Sequence, residues 1–192
     1  MHAHTPQQLT PLPCAQPGSI VLICFANSAS SLAHYQRWQN DLNDHIELAP
    51  IDVSGYGATA GGSGTEDLCE QLFERLQVYL RRPHALFGHN DGAHLAFEIA
   101  KRMQHVSPRL TRHLFVSMCD SPATSPCQTA HSLQVPVTAL YPPGSLKRIL
   151  GWRDYICREL ELIELPSTQL DDPKLQQRLM QIINTHLGLL SL

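Results

Sequence analysis

The 192 residues carry 43% hydrophobic side chains and a formal net charge of −3, which fits a single soluble domain with a substantial core. That charge gives no general attraction to nucleic acid or to an anionic bilayer. No apolar run approaches the ~18 residues of a membrane span.

In chain order, the opening MHAHTPQQLTPLP lacks the basic-then-apolar layout of a secretory signal. Residues 1–18 are therefore expected to be a flexible leader and 19–192 a single domain. The apolar runs SIVLICF (19–25) and IELAPID (46–52) predict two strands. Between the second run and the first long helix lies GATAGGSG (57–64), a glycine-rich connector and not a phosphate loop, since no GK[ST] follows. The helix is expected over 65–80, where Leu68, Leu72, Leu76 and Leu80 form one stripe with Cys69 and Phe73. Ser63 and Glu66 have the spacing of a capping box ahead of it. Further strands are predicted at 84–88, 113–118, 135–141 and 159–165. A turn-rich stretch over 119–134 is expected to be the longest irregular connection. Residues 173–187 then place Leu175, Leu179, Ile182, Ile183 and Leu187 on one helical face, with Pro173 suited to the first turn.

Short apolar runs alternating with helical patterns predict an α/β fold: a doubly wound, mostly parallel sheet with helices on both faces. Six cysteines occur without CxxC or finger-like spacing and are expected to be reduced, in a cytoplasmic protein. Among the eleven histidines, His2 and His4 lie in the leader, and no pair shows ligand spacing on an expected element, so no metal site is predicted. No cofactor is implied.

The segment HALFGHNDGAHLAFEIA (84–100) carries the most information. An apolar strand runs into Gly88-His89-Asn90-Asp91-Gly92 and an amphipathic helix starts at once. This is the strand–turn–helix setting of a nucleophile elbow, G-x-S-x-G, with Asn90 where the serine belongs.

The segment resembles the ALFGHSMGALLAFELA block of type II thioesterases from polyketide and nonribosomal peptide assembly lines, apart from Asn90 and Asp91. Upstream, IVLICFANSASSLAHYQRW (20–38) resembles that family's first strand and loop, LFCFPHAGGSASxYxxW, with Tyr35 and Trp38 matching. IDVSGYG (51–57) is similar to its QLPGRG turn, and HLFVSMCDSPA (113–123) to its HLFVSGRRAP. The likeness covers roughly 20–123 and implies an α/β-hydrolase fold. The partner it implies is an acyl or peptidyl carrier protein with a phosphopantetheine arm.

Hydrolysis on that fold needs a nucleophile, an imidazole base, an orienting carboxylate and two backbone donors for the oxyanion. An asparagine amide is no nucleophile, because its nitrogen lone pair is delocalised. The family's histidine follows the last strand, where this chain reads Pro166-Ser167-Thr168-Gln169-Leu170; the next histidine is His186, far along the terminal helix. The family's acid follows the preceding strand, where the chain reads Pro142-Pro143-Gly144-Ser145-Leu146. The oxyanion loop corresponds to Ala26, Asn27 and Ser28, continuing Ala29-Ser30, with the family's proline and glycines replaced. About sixteen residues separate the strands that bracket the family's helical lid, too few for two packed helices, so the lid is expected to be missing.

Two functions stay open. One is a binding or accessory protein for carrier-linked acyl groups without serine chemistry. The other is an enzyme on acyl thioesters with relocated groups, drawn from His89, Asp91, Asp120 and the serines Ser28, Ser30 and Ser31. Each of these has a plain structural alternative: elbow packing for His89, a turn or cap for Asp120, and loop hydrogen bonding for the serines.

Overall fold

The computed structural model describes residues 18–54, 64–122 and 132–190, with 64–68 and 190 as backbone only. The expected leader, the Ser63 capping box, most of the glycine-rich connector and the middle of the 119–134 connection lie outside the described residues. Six strands are present: β1 Ile20–Ala26, β2 Ile46–Asp52, β3 His84–His89, β4 Thr111–Ser117, β5 Val137–Tyr141 and β6 Leu160–Glu164. They form one sheet in the order β2-β1-β3-β4-β5-β6, with every neighbouring pair parallel. All six fall where the apolar runs placed them, to within a residue or two.

β1 and β3 are buried along their whole length, which is why their sequences show no polar alternation. Alternate residues of β1 feed two cores. Val21, Ile23 and Phe25 pack with Leu72, Leu76, Ala96, Phe97 and Ala100, which belong to helices α2 (Gly64–Leu80) and α3 (Asp91–Val106). Ile20, Leu22 and Cys24 pack on the other face with Tyr35 of α1 (Ala29–Arg37), with Trp38 just beyond it, and with Leu175, Leu179 and Ile183 of α5 (Pro173–Leu190). The sheet is thus wound on both sides, as the alternation predicted. Tyr35, Trp38 and Phe87 stack in a tilted and edge-on trio, with centroids 4.7 to 5.7 Å apart, and lock α1 to the second face.

The structure adds two helical pieces to those expected. The first is α1, which occupies the stretch compared above to a loop. Ser28 caps it, with its hydroxyl accepting from Ser31 N and the Ser31 hydroxyl accepting from Ser28 N. The second is α4 (Leu146–Ile149), which continues as a 3-10 turn over Leu150–Tyr155 and packs Trp152 into the first core. Among the described residues no helix is long and apolar enough to cross a membrane.

Candidate active site

The site lies at the carboxyl ends of neighbouring strands β1 and β3, from which the chain leaves in opposite directions, to β2 on one side and to β4 on the other. An open parallel sheet has its natural crevice at such a reversal. Asn90 sits between the last residue of β3 and the first of α3, at φ 50 and ψ −126. This backbone region is one that residues with a Cβ rarely adopt, and neighbouring structure must impose it. Two contacts do so here: Asn90 N donates to Ser117 O at 2.9 Å, and Ala93 N donates to Asn90 O at 2.9 Å.

The flanking glycines explain how the turn fits. A Cβ on Gly88 would stand 2.2 Å from Gly92 O and 2.4 Å from Ala93 Cα. One on Gly92 would stand 2.7 Å from Phe25 O in β1. Both are collisions with backbone, so helix and strand can approach this closely only because neither residue has a side chain. Gly88→Ala is therefore expected to cost about 3 kcal/mol or more, read as a lower urea midpoint at unchanged slope. Gly188→Ala, whose Cβ meets nothing nearer than Asn43 Nδ2 at 3.9 Å, serves as control and should not lose stability.

The residues singled out in the sequence lie at or just beyond the carboxyl ends of β1, β3 and β4. His89 is buried, its Nδ1 sharing a hydrogen bond with Ser117 Oγ at 3.1 Å, and burial pulls its pKa down to about 4. It therefore stands neutral near pH 7, tying the ends of β3 and β4 together. Asp91 is exposed in the first turn of α3, where a carboxylate meets the positive end of the helix dipole. Asp120 forms an ion pair with Arg148, its Oδ2 3.0 Å from Nε and 2.5 Å from Nη2. This pair fastens the chain after β4 to α4.

On the other side of the crevice, Ala26 ends β1 and its carbonyl accepts from Val53 N at 2.8 Å. Asn27 Oδ1 accepts from Ser31 Oγ at 3.3 Å, and Ser28 N donates to Ser31 Oγ at 3.1 Å. The Ser28 amide is thus already engaged in the cap of α1. Ser28 and Ser31 hydroxyls face each other at 2.9 Å. Ser30 is exposed one residue away.

His186 is remote from this end of the sheet. Its Nε2 lies 2.6 Å from Glu161 Oε2 near the start of β6, and its ring packs on Phe115 and on His113 near the start of β4. Sequence reasoning missed a second imidazole. His94, one turn into α3, places Nε2 3.2 Å from Cys119 Sγ and 3.1 Å from Asp120 O. Twenty-five positions separate the two side chains, and no motif links them; only the pairing of β3 with β4 does. Among the described residues no group of histidine, cysteine or carboxylate side chains could hold a metal ion.

Known proteins resemble this chain in sequence and in fold. Linear gramicidin dehydrogenase LgrE of Brevibacillus parabrevis is 29% identical over 118 residues, covering 59% of this chain and 45% of the relative. Gramicidin S biosynthesis protein GrsT of Aneurinibacillus migulanus is 28% identical over 109 residues, covering 55% and 42% respectively. The chain thus spans less than half the length of these relatives. Among solved structures, the type II thioesterase BorB from the borrelidin biosynthetic cluster superposes with a TM-score of 0.73 at 19% identity, over 97% of this chain and 100% of that one. RedJ, a thioesterase from the prodiginine pathway of Streptomyces coelicolor, gives 0.70 at 21% identity, over 87% and 86%. The profile of the thioesterase domain matches residues 21–137, from the first strand through the elbow to the start of β5. An elbow turn in its expected place and a match over more than half of the chain lead to one assignment: this protein belongs to the thioesterase domain family.

Proposed function

We propose that this is a type II thioesterase-like protein of a polyketide or nonribosomal peptide assembly line, which holds acyl groups borne on the phosphopantetheine arm of a carrier protein and does not release them through an acyl-serine intermediate. One observation carries this: the elbow is built in full, strained turn and paired glycines included, around Asn90, which has no nucleophilic atom. Keeping such a turn costs on the order of 1–3 kcal/mol. A crevice maintained at that cost without its nucleophile suits binding better than serine hydrolysis. The assembly-line setting draws support from the names of the relatives, which include a linear gramicidin dehydrogenase and a gramicidin S biosynthesis protein, and from the likeness to YbtT of the yersiniabactin pathway.

The second function, an enzyme with relocated groups, is favoured by one specific feature, the contact between Cys119 and His94. It is compatible with the first so long as the acyl group is captured and not turned over.

The test uses octanoyl-pantetheine, free and loaded on a carrier protein, with thiol release followed by a chromogenic disulfide. Saturable binding is expected, with no more than about one equivalent of thiol freed per chain. Continuous release over many equivalents would sink the proposal, as would failure to bind either form.

A further inference from the structure

The turn that leaves β4 shares, one strand over, the positive φ of the elbow that leaves β3. Among the described residues, Asn90 and Met118 are the non-glycine residues with positive φ, at 50 and 54. They stand at the carboxyl ends of paired strands and are chained to the sheet in the same way. Asn90 N donates to Ser117 O at 2.9 Å, and Met118 N donates to Leu140 O at 2.8 Å. Strain of this kind persists only where packing imposes it.

Directly after Met118 comes Cys119, whose Sγ is 3.2 Å from His94 Nε2. Asp120 and Asp91 lie close enough to act on the thiol's charge. Trp152 Nε1 donates to Cys119 O at 3.0 Å, and its indole lies beside the His94 ring with centroids 6.4 Å apart. The indole thus restrains both partners. A thiol and an imidazole in contact with it supply the nucleophile and the base that acyl transfer requires. The Asp120 carboxylate is paired with Arg148, and the ring is met by the Asp120 backbone carbonyl instead.

We propose that Cys119, with His94 as its base, accepts the acyl group of an acyl-pantetheine thioester. The inference rests on the binding function given above and names the atom that receives the acyl group. His94 Nε2 takes the proton from Sγ as the Sγ–carbonyl bond forms. The tetrahedral carbon then collapses, the bond to the pantetheine sulfur breaks, and that sulfur leaves with the proton His94 returns. One thioester replaces another, so no oxidant or reductant is needed. At rest Nε2 faces the Asp120 carbonyl at 3.1 Å, and Sγ donates to that same carbonyl at 3.3 Å. The ring must therefore hold its proton on Nδ1 for Nε2 to accept from Sγ, and the Nε2–H formed during attack then donates to Asp120 O.

Burial, with Asp120 and Asp91, pushes the thiol up to about 12. The resting thiol is therefore neutral, and the thiolate forms only during attack, as a serine alkoxide does beside its histidine. The other described cysteines lack such a partner. Cys24 is buried in β1, Cys69 is half-buried on α2, and the exposed Cys157 contacts Ser132 and Gln134.

Octanoyl-pantetheine is the probe, with intact-mass and peptide-mapping readouts. The native protein is expected to gain one octanoyl group on Cys119, and Cys119→Ala none there. His94→Ala should acylate roughly 100-fold more slowly, the lower end of what a positioned base contributes. Added free imidazole should restore part of that rate, an effect no packing role of His94 would give. Cys119→Ser keeps the shape of the site should the alanine variant fold poorly, and is expected to block thioester formation. No adduct on Cys119, or equal rates with and without His94, would overturn the inference. Binding of the probe to Cys119→Ala decides the other question: retained binding without any adduct on the native protein removes the inference alone, and loss of binding from both removes the binding function as well.

Discussion

Lowering the pH from 7 to 4.5 is expected to remove about 7 kcal/mol of folding stability, enough to unfold most domains of this size. The source is three buried histidines at strand ends. His84 bridges Arg82 O and Thr111 Oγ1 at 2.8 Å each, and burial holds its pKa down at about 4. His89 is held at about 4 by burial as well. His113, hydrogen-bonded to Thr138 Oγ1 at 2.8 Å, is brought to about 3 by burial and by the neighbouring His186. Each folded value lies below the ~6.5 of an unfolded histidine, so between the two the unfolded chain binds more protons. Their stabilisation is complete above about pH 6.5 and is lost as the pH falls toward the folded values. At pH 4.5 each group has given up somewhat over 2 kcal/mol. Glu47, whose pKa is lowered by its hydrogen bond to Arg82, loses its contribution in the same direction at still lower pH. Urea titrations followed by the fluorescence of the buried Trp38 and Trp152 should show a midpoint falling steadily from pH 6.5 to 5. His84→Gln and His113→Gln should each flatten that slope. A midpoint independent of pH over this interval would mean that the three rings are solvated in the folded protein.

These histidines also show where sequence reasoning reached and where it stopped. Strands β1, β3 and β5 were legible as short apolar runs buried throughout. β2 and β6 were legible as runs in which apolar residues outnumber the polar ones, and β4 by the apolar Leu114, Phe115 and Val116 within it. α2 and α5 were legible because their leucines and isoleucines keep a helical period. The elbow was legible because two glycines at fixed spacing are required by backbone collisions that no other residue avoids. α1 was not legible. Within Ala29–Arg37 the buried residues are Ser31 and Tyr35, so no apolar stripe exists. Its capping box closes through a second serine, not the glutamate or glutamine that marks the usual signature. α4 has four residues, fewer than periodicity can register. The Cys119–His94 contact is invisible in one dimension, since it depends on α3 folding back beside the end of β4. That absence of a motif is why Asp91, His89 and Asp120 were singled out while the imidazole and thiol between them were not. The structure pairs Asp120 with Arg148 and leaves Asp91 exposed in the first turn of α3, and gives His89 a neutral, hydrogen-bonded place inside the sheet.

Asn90→Ser is expected not to restore thioester turnover: the variant should remain on the order of 10⁴-fold or more below a family member with its triad intact, roughly 5–6 kcal/mol of missing transition-state stabilisation. The backbone would accept the change, because the turn is already formed and a serine is smaller than the asparagine it replaces. The chemistry would not follow. A serine hydroxyl becomes nucleophilic when an imidazole within about 3 Å can take its proton. After β6 the chain supplies Pro166, Ser167, Thr168 and Gln169, and after β5 Pro142, Pro143, Gly144 and Ser145, so neither place offers base or acid. His186 is held by Glu161 near the opposite ends of the strands. His89 is hydrogen-bonded to Ser117, and His94 is turned toward Cys119 and Asp120 O. The measurement belongs in a Cys119→Ala background, so that any single equivalent of thiol released by capture on the cysteine is removed from the reading. Multiple-turnover release of pantetheine thiol from octanoyl-pantetheine, compared between Asn90→Ser and its parent, then reports the elbow alone. Turnover within about tenfold of an active thioesterase would show that one of these histidines reaches position 90 once a hydroxyl is there, and that the asparagine alone had silenced the site.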